Sequence, residues 1–359
     1  VILVAAALPA AGALAQAYSV PPALEQVVGQ SNVDDAGREA IRAFVNPLAR
    51  DLTSGDAAAM GLAREDLIAP LVAAPNVSVS FRISYAEALM TTLQGLVSGG
   101  DEAGAVTALR IAGQLGTGQS VTLISSAIDH DSPAVRYAAA QAMGETLRLV
   151  AEGNPALQQG AAQDLIDKLG DRLIGEPDAF VTDALVRALD GPRANPALRQ
   201  TAAVRMAGAM IEQIRIRRAA LDGETNIVES ASSMLRAIIN LRSLFIDLGA
   251  GVPRPVAVTA GRLAGQAMTW GVAAIDNAGG FGALSAAERQ AIDSTLRAAE
   301  ALAALANVSV GGDNVVAQPI ARALEQDDLN ALDVAVQGWA GPAGRLVRQP
   351  FGADPAEFE

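Results

Sequence analysis

The chain of 359 residues contains no cysteine. That excludes disulfides, thiol nucleophiles and thiolate metal sites, while leaving the cellular compartment open. Histidine is reduced to one residue, His130. A transition-metal site would therefore rest on carboxylates, and no G-x-S-x-G nucleophile elbow occurs to pair with that imidazole. Aromatic residues make up only 3% of a chain that is 51% hydrophobic, so alanine, leucine and valine must fill the core. Alanine is the best helix former, whereas strands favour β-branched and aromatic side chains. The balance points to stacked helices. Positive charge is also scarce. The formal net charge is -13, and such a surface repels phosphate backbones, which argues against nucleic acid as a partner. Beyond the first residues no apolar run is long enough for a membrane span. "LAGQAMTWGVAAI" (263–275) is only about half of the roughly 20 residues required.

What is present begins with the opening segment. "VILVAAALPAAGALAQAYSVPP" carries no charge before Glu25. Residues 1–15 read as the apolar part of a secretory signal, and Ala13-Leu14-Ala15 fits the small-x-small rule for cleavage before Gln16. Pro9 and Gly12 weaken the alternative of a buried N-terminal helix. The expectation is an exported chain, periplasmic or secreted, with no transmembrane span in its mature form.

Internal repetition follows. Ser132-Pro133-Ala134-Val135-Arg136 aligns with Asn154-Pro155-Ala156-Leu157-Gln158 and with Asn195-Pro196-Ala197-Leu198-Arg199, and a weaker copy starts at Glu176-Pro177. Ser and Asn are good N-caps because a side-chain oxygen accepts a free N–H of the first turn. Proline in the next position gives up an N–H that had no partner anyway. Val135, Ala138, Ala139, Ala142 and Met143 then recur at helical spacing. Each step reads as one helix and a short turn, and two steps make a hairpin of about 40 residues, the period of an α-solenoid.

"DSPAVRYAAAQAMG" resembles the second helix of a HEAT repeat. Asp131, Pro133, Val135, Arg136, Ala139, Ala142, Met143 and Gly144 carry the likeness, which is strongest over about 117–210. Ala194 stands where the third copy should have an Asp, and Gln158 where the second should have an Arg. The resemblance implies a right-handed superhelix of antiparallel hairpins, and a binding function for it. In that geometry Arg136, Gln158 and Arg199 belong near the inter-helix turns. Helical patterns extend through 76–97, opened by Asn76, and through 224–249, 254–270 and 285–306, the last with a Ser285/Glu288 capping box. The organisation expected is a signal remnant at 1–15, a linker at 16–31, N-terminal hairpins at 32–116, the HEAT-like core at 117–222, further helices at 223–340 that continue or cap the array, and an extended tail at 341–359.

Candidate chemistry is sparse. Asp129-His130-Asp131 could be a metal pair or an Asp-His relay, but no second ligand or nucleophile accompanies it. It reads better as the turn before a helix, with Asp131 opposing the helix N-terminal charge. "EQDDLNALD" (325–333) lacks the turn glycine of a calcium loop, and "GQLGTGQS" (113–120) lacks the Lys-Ser/Thr ending of a phosphate loop. No cofactor is expected. The densest basic run supplies Arg215, Arg217 and Arg218 as candidate partner contacts. Trp270 and Phe281 are expected to close the end of the core, whereas Trp339 is a candidate partner contact and Phe351 and Phe358, in the tail, are candidates for a contact outside the array, since interfaces favour aromatic anchors. The reading is an all-α, non-enzymatic, exported scaffold or adaptor for a protein or peptide. The alternatives are a structural subunit of a cell-envelope assembly and, less favoured, an all-helical enzyme with a site at His130.

Overall fold

The computed structural model describes residues 20–74, 76–153, 156–157, 159–219, 227–315 and 318–358. The signal-like residues 1–15 lie outside them, as do Asn154, Pro155 and Gln158 of the second repeat copy. Fourteen α-helices and no strand occur among the described residues. The chain divides into two compact units, Val1–Ala88 and Leu89–Glu359.

The first unit holds α1 (Asp35–Leu52), α2 (Ala57–Val72) and the start of α3 (Val79–Ser98). Asp34 caps α1 by accepting from the Gly37 N–H, and Asp56 caps α2 through the Ala58 N–H. The third helix is capped by Ser78, whose Oγ accepts the Phe81 N–H at 3.0 Å, and not by Asn76. The brief alternation of "NVSVSF" is the run into that helix, with no strand behind it. Residues 20–31, expected as linker, bury Leu24, Val27 and Val28. A Cβ on Gly37 would sit 2.9 Å from Val33 and 3.2 Å from Val27, so this segment is part of the unit's core. Tyr85 stacks on Phe81 and donates to the Leu67 carbonyl at 3.0 Å, which satisfies its buried hydroxyl.

The second unit continues with α4 (Glu102–Leu115), α5 (Gly118–Ala127), α6 (Pro133–Ala151), α7 (Gln159–Gly175), α8 (Ala179–Leu189), α9 (Pro196–Ala219), α10 (Ile227–Leu248), α11 (Arg254–Asn277), α12 (Ala286–Ser309), α13 (Pro319–Glu325) and α14 (Leu329–Ala340). Two layers emerge from their neighbours. In one, α4, α6, α8, α10 and α12 lie side by side. In the other, α5, α7, α9 and α11 do, with α14 against α11. Alternation between layers at each turn is the arrangement of stacked helical hairpins, so the all-α solenoid-like class holds.

Caps define the helix starts. Ser132 Oγ accepts the Val135 N–H, and Asn195 Oδ1 accepts from Ala197 and Leu198. Pro133 and Pro196 each open their helix. The copy at Glu176-Pro177 differs, because Asp178 is the cap and α8 begins at Ala179. The copies also do not share a layer. The first begins α6 and the third begins α9, in opposite layers. What the alignment detected was the chemistry of a helix start, which is common to both layers.

Small residues set the spacing within the first layer. A Cβ on Gly113 of α4 would lie 2.9 Å from the Ala142 Cα of α6, and one on Gly144 of α6 would lie 2.8 Å from the Ala188 Cα of α8. The adjacent core positions Ala138, Ala139 and Ala142 are fully enclosed. The C-terminal end departs from the extended tail that the sequence led us to expect. Residues 341–358 fold back onto α11 and bury Leu346, Phe351, Ala353 and Phe358. Glycine and proline there shape turns, while every few residues an apolar side chain has a pocket to fill.

Ala139 is completely buried. Ala139→Leu inserts three carbons at a fully enclosed position and is expected to cost about 1–3 kcal/mol by overpacking, measured by equilibrium denaturation. An unchanged midpoint would mean that this face of α6 is not core.

Candidate functional site

Asp129-His130-Asp131 lies in the turn between α5 and α6, and the structure shows what that turn does. The His130 Nδ1 accepts the Ser132 N–H at 3.0 Å. The His130 and Asp131 carbonyls both accept from Arg136 Nη1, at 2.9 and 2.8 Å. The Ser132 hydroxyl donates to Glu102 of α4 at 2.5 Å. His130 is thus part of a turn held by its backbone. No cluster of three or more metal-ligating side chains occurs among the described residues.

The sequence marks Glu176 only as the start of a weaker repeat copy, but it meets the opposite edge of the Arg136 guanidinium. Arg136 Nε and Nη2 donate to the two carboxylate oxygens of Glu176, at 2.9 and 2.8 Å. The Glu176 carboxylate is fully buried. It also accepts from Arg172 at 2.7 and 2.9 Å and from the Asp178 N–H at 2.9 Å. Burial alone would raise the Glu176 carboxyl; the Arg136 fork, the Asp178 amide and Arg172 outweigh it and hold the group below its ordinary value. Gln213 of α9 donates to the Glu176 carbonyl at 3.1 Å. One acid therefore ties the α5–α6 turn, the α7–α8 turn and α9 together. The sequence contained a signal for it, since Glu176 lies one hairpin period, 40 residues, after Arg136. Arg199 makes a comparable tie from the start of α9 to Asp247 and Ser243 of α10.

Among the described residues of the second unit, the concave surface includes two regions. The first is a groove of about 510 Å³ lined by Asp129, Asp164, Asp167, Lys168, Asp171 and Arg172. Arg205 of α9 lies over Gly170 and pairs with Asp171, so this acidic face is partly neutralised by neighbouring helices.

The second lies where α9, α11, α14 and the C-terminal segment meet, and it gathers three of the six residues expected to contact a partner, Arg215, Arg218 and Phe358. Arg218 and Phe358 line one cleft of about 440 Å³ with Val272, Asp333 and Val336. Arg215, Ile216 and Arg218 line another of about 540 Å³ with Asn277 and Glu357. A third, of about 440 Å³, runs between Gly208 and Arg215 of α9 and Arg262 and Gln266 of α11.

The individual roles differ from expectation. Arg215 is exposed and pairs with Glu212 within its own helix. Arg217 bonds Ser230 and, at 3.4 Å, Thr182, so it is spent inside the chain. Arg218 is half-buried and donates at 2.8 Å to both Thr269 Oγ1 and the Phe358 carbonyl. Burial, and after it the nearby charge of Arg215, push the Arg218 guanidinium below its ordinary value. Trp339 is buried beneath the Arg345 guanidinium, 5.7 Å from its ring centroid. Phe351 and Phe358, expected to reach outside the array, are buried against α11 instead, because two glycines of that helix leave room for their rings. Trp270 and Phe281 are buried, as expected for residues that fill core.

The fold of the second unit is a helical-repeat array. Residues 89–190 match the family model for HEAT repeats, a stretch that begins where the second unit begins. The expected resemblance therefore holds over that stretch. No curated protein matches the chain. No described helix is long and apolar enough to cross a membrane.

Glu176→Gln removes the charge that compensates Arg136 and Arg172, and is expected to cost about 3–5 kcal/mol, as when one partner of a buried pair is lost. The folded carboxyl titrates lower than the unfolded one, so its contribution is complete above about pH 4.5 and is lost as pH falls through the lower folded value. Acid titration of stability should be steeper in the wild type than in Glu176→Gln; parallel profiles would contradict the tie. His130→Ala leaves both carbonyls in place for Arg136 and should cost no more than about 1 kcal/mol. A loss matching that of Glu176→Gln would show that the imidazole, and not the backbone carbonyls with Arg136, holds this turn.

Proposed function

We propose that the chain is a non-enzymatic scaffold that binds a protein or peptide partner outside the cytoplasm. The observation that carries the binding reading is the composite groove on the second unit. Arg215 and Arg218 stand there beside aliphatic side chains, and large apolar residues are exposed on two of its helices, Ile216 on α9 and Val334 on α14. Exposed apolar side chains rimmed by charge are the ordinary composition of a docking surface. The HEAT-repeat match supports the same reading, because stacked hairpins offer extended surfaces to other chains. His130 is engaged in holding a turn, which favours a structural role for the one imidazole. The export half of the proposal rests on residues 1–15, whose composition and Ala13-Leu14-Ala15 end fit a secretory signal.

Affinity purification of the full chain from its native source, with mass spectrometry of the co-purifying proteins and of the chain's own N-terminus, tests both halves. We expect a defined partner that is lost when Arg215→Glu and Ile216→Asp are combined, and a mature chain beginning at Gln16. Equal recovery of that partner with the double variant would move the binding site elsewhere. Retention of residues 1–15 on the purified chain would overturn export.

A further inference from the structure

The C-terminal segment sits on the array in the manner of a bound peptide. Its two phenylalanines, Phe351 and Phe358, are seven residues apart and enter two notches one helical turn apart on α11. A Cβ on Gly261 would lie 2.6 Å from the Phe351 ring, and one on Gly265 would lie 2.5 Å from the Phe358 ring. Leu346 fills the space between them, against the same two glycines. The polar contacts from the array go mainly to the segment's backbone. Arg254 donates to the Pro350 carbonyl at 2.9 Å, Gln266 Nε2 to the Glu357 carbonyl, and Arg218 to the Phe358 carbonyl at 2.8 Å. One side-chain ion pair, Arg262 with Glu357 at 3.5 Å, is added. Gln266 is completely enclosed, yet its Oε1 has no hydrogen-bond partner among the described residues. A buried acceptor left open is costly, and the segment seated in cis does not satisfy this one. Backbone carbonyls held by side-chain donors, with pockets reading two rings, is how grooves recognise peptides.

We propose that the Gly261/Gly265 face of α11 is a peptide groove that accepts residues 341–358 in trans as well as in cis, so that two copies of the chain can exchange this segment. Every copy carries both the groove and the sequence that fits it. The segment leaves α14 through "GPAG" (341–344), a short connection of the kind through which identical elements are exchanged between protomers. The groove reads the two rings and three carbonyls, and none of these contacts depends on which copy supplies them. In the closed monomer the tethered segment competes with any incoming one, which lowers the apparent affinity by the fraction of time the groove is open. The site shares Arg218, Gln266, Glu357 and Phe358 with the clefts described above, but the inference does not depend on the identity of any other partner.

The test uses the full chain and a fluorescent peptide of residues 341–358. The full-length double variant Phe351→Ala/Phe358→Ala, whose own segment no longer fills the notches, should bind the peptide at least about tenfold more tightly than the wild type does. A peptide with both phenylalanines replaced by alanine should not bind. A folded double variant, confirmed by circular dichroism, that fails to bind the native peptide overturns the proposal and leaves the segment a fixed end cap. Should the double variant not fold, hydrogen exchange of the wild type decides. Amides of Leu346 and Ala353 that exchange well before those of Leu263 and Ala264 in α11 show a segment that opens on its own. Equal protection shows one that leaves only on global unfolding, and overturns the proposal.

Discussion

The close approach of α4, α6 and α8 is the constraint on which the second unit depends. At Gly113 against Ala142 and Gly144 against Ala188 the helices meet without room for one more methyl group. Large side chains could not line such an interface, and this accounts for a hydrophobic chain that is almost without aromatics. Alanine loses no side-chain entropy on burial, and its modest area is offset by the number of alanines at each contact. The few bulky residues go where spacing is set differently, at Trp270 in α11 and in the Phe81–Tyr85 stack of the first unit.

Apolar contact of small side chains is weakly directional, and polar ties supply the direction. Among the ion pairs of the described residues, the one between Arg136 and Glu176 is the most enclosed. Glu176 draws Arg136, Arg172 and the start of α8 to one carboxylate, and Arg136 in turn holds the two carbonyls of the turn carrying His130. Removing water from an isolated carboxylate would be strongly unfavourable. Here two guanidinium groups and a backbone amide replace that water, so the acid stays ionised inside the array. The same logic recurs with less burial at Arg199 and Asp247. These ties hold the turns, and the helices between them keep the spacing that leaves the groove beside α11.

The helix content, the hairpin period and the capped starts at Ser132, Asn195 and Ser285 were legible in the sequence, because caps, N1 prolines and small-residue periodicity are local signals. The layer to which each helix belongs was not legible, because Ser132-Pro133 and Asn195-Pro196 begin helices by the same chemistry on opposite sides of the unit. The fate of the C-terminal aromatics was not legible either. A Pro/Gly-rich run looks extended until the glycines that receive its rings are seen on a helix some 90 residues earlier. Of the candidate contacts, Arg215 remains at the surface, whereas Arg217, Arg218, Trp339, Phe351 and Phe358 are wholly or largely used within the chain. The role of Glu176, seen in the sequence only as the start of a repeat copy, was not legible because a buried acid is marked by its partners, and its main partner lies a full hairpin away.

The central claim, that helix spacing is set by glycine at defined contacts, is tested most directly by comparing two glycine substitutions in unfolding experiments. Gly208 lies within α9 with no atom in reach of an added Cβ. Gly208→Ala should therefore stabilise the protein by about 0.5–1 kcal/mol, the usual gain from removing a mid-helix glycine. Gly144→Ala places its methyl 2.8 Å from backbone of α8 and should reverse the sign, destabilising by about 1–3 kcal/mol. If both substitutions stabilised the chain alike, helix propensity alone would account for them and the close approach of α6 and α8 would be contradicted.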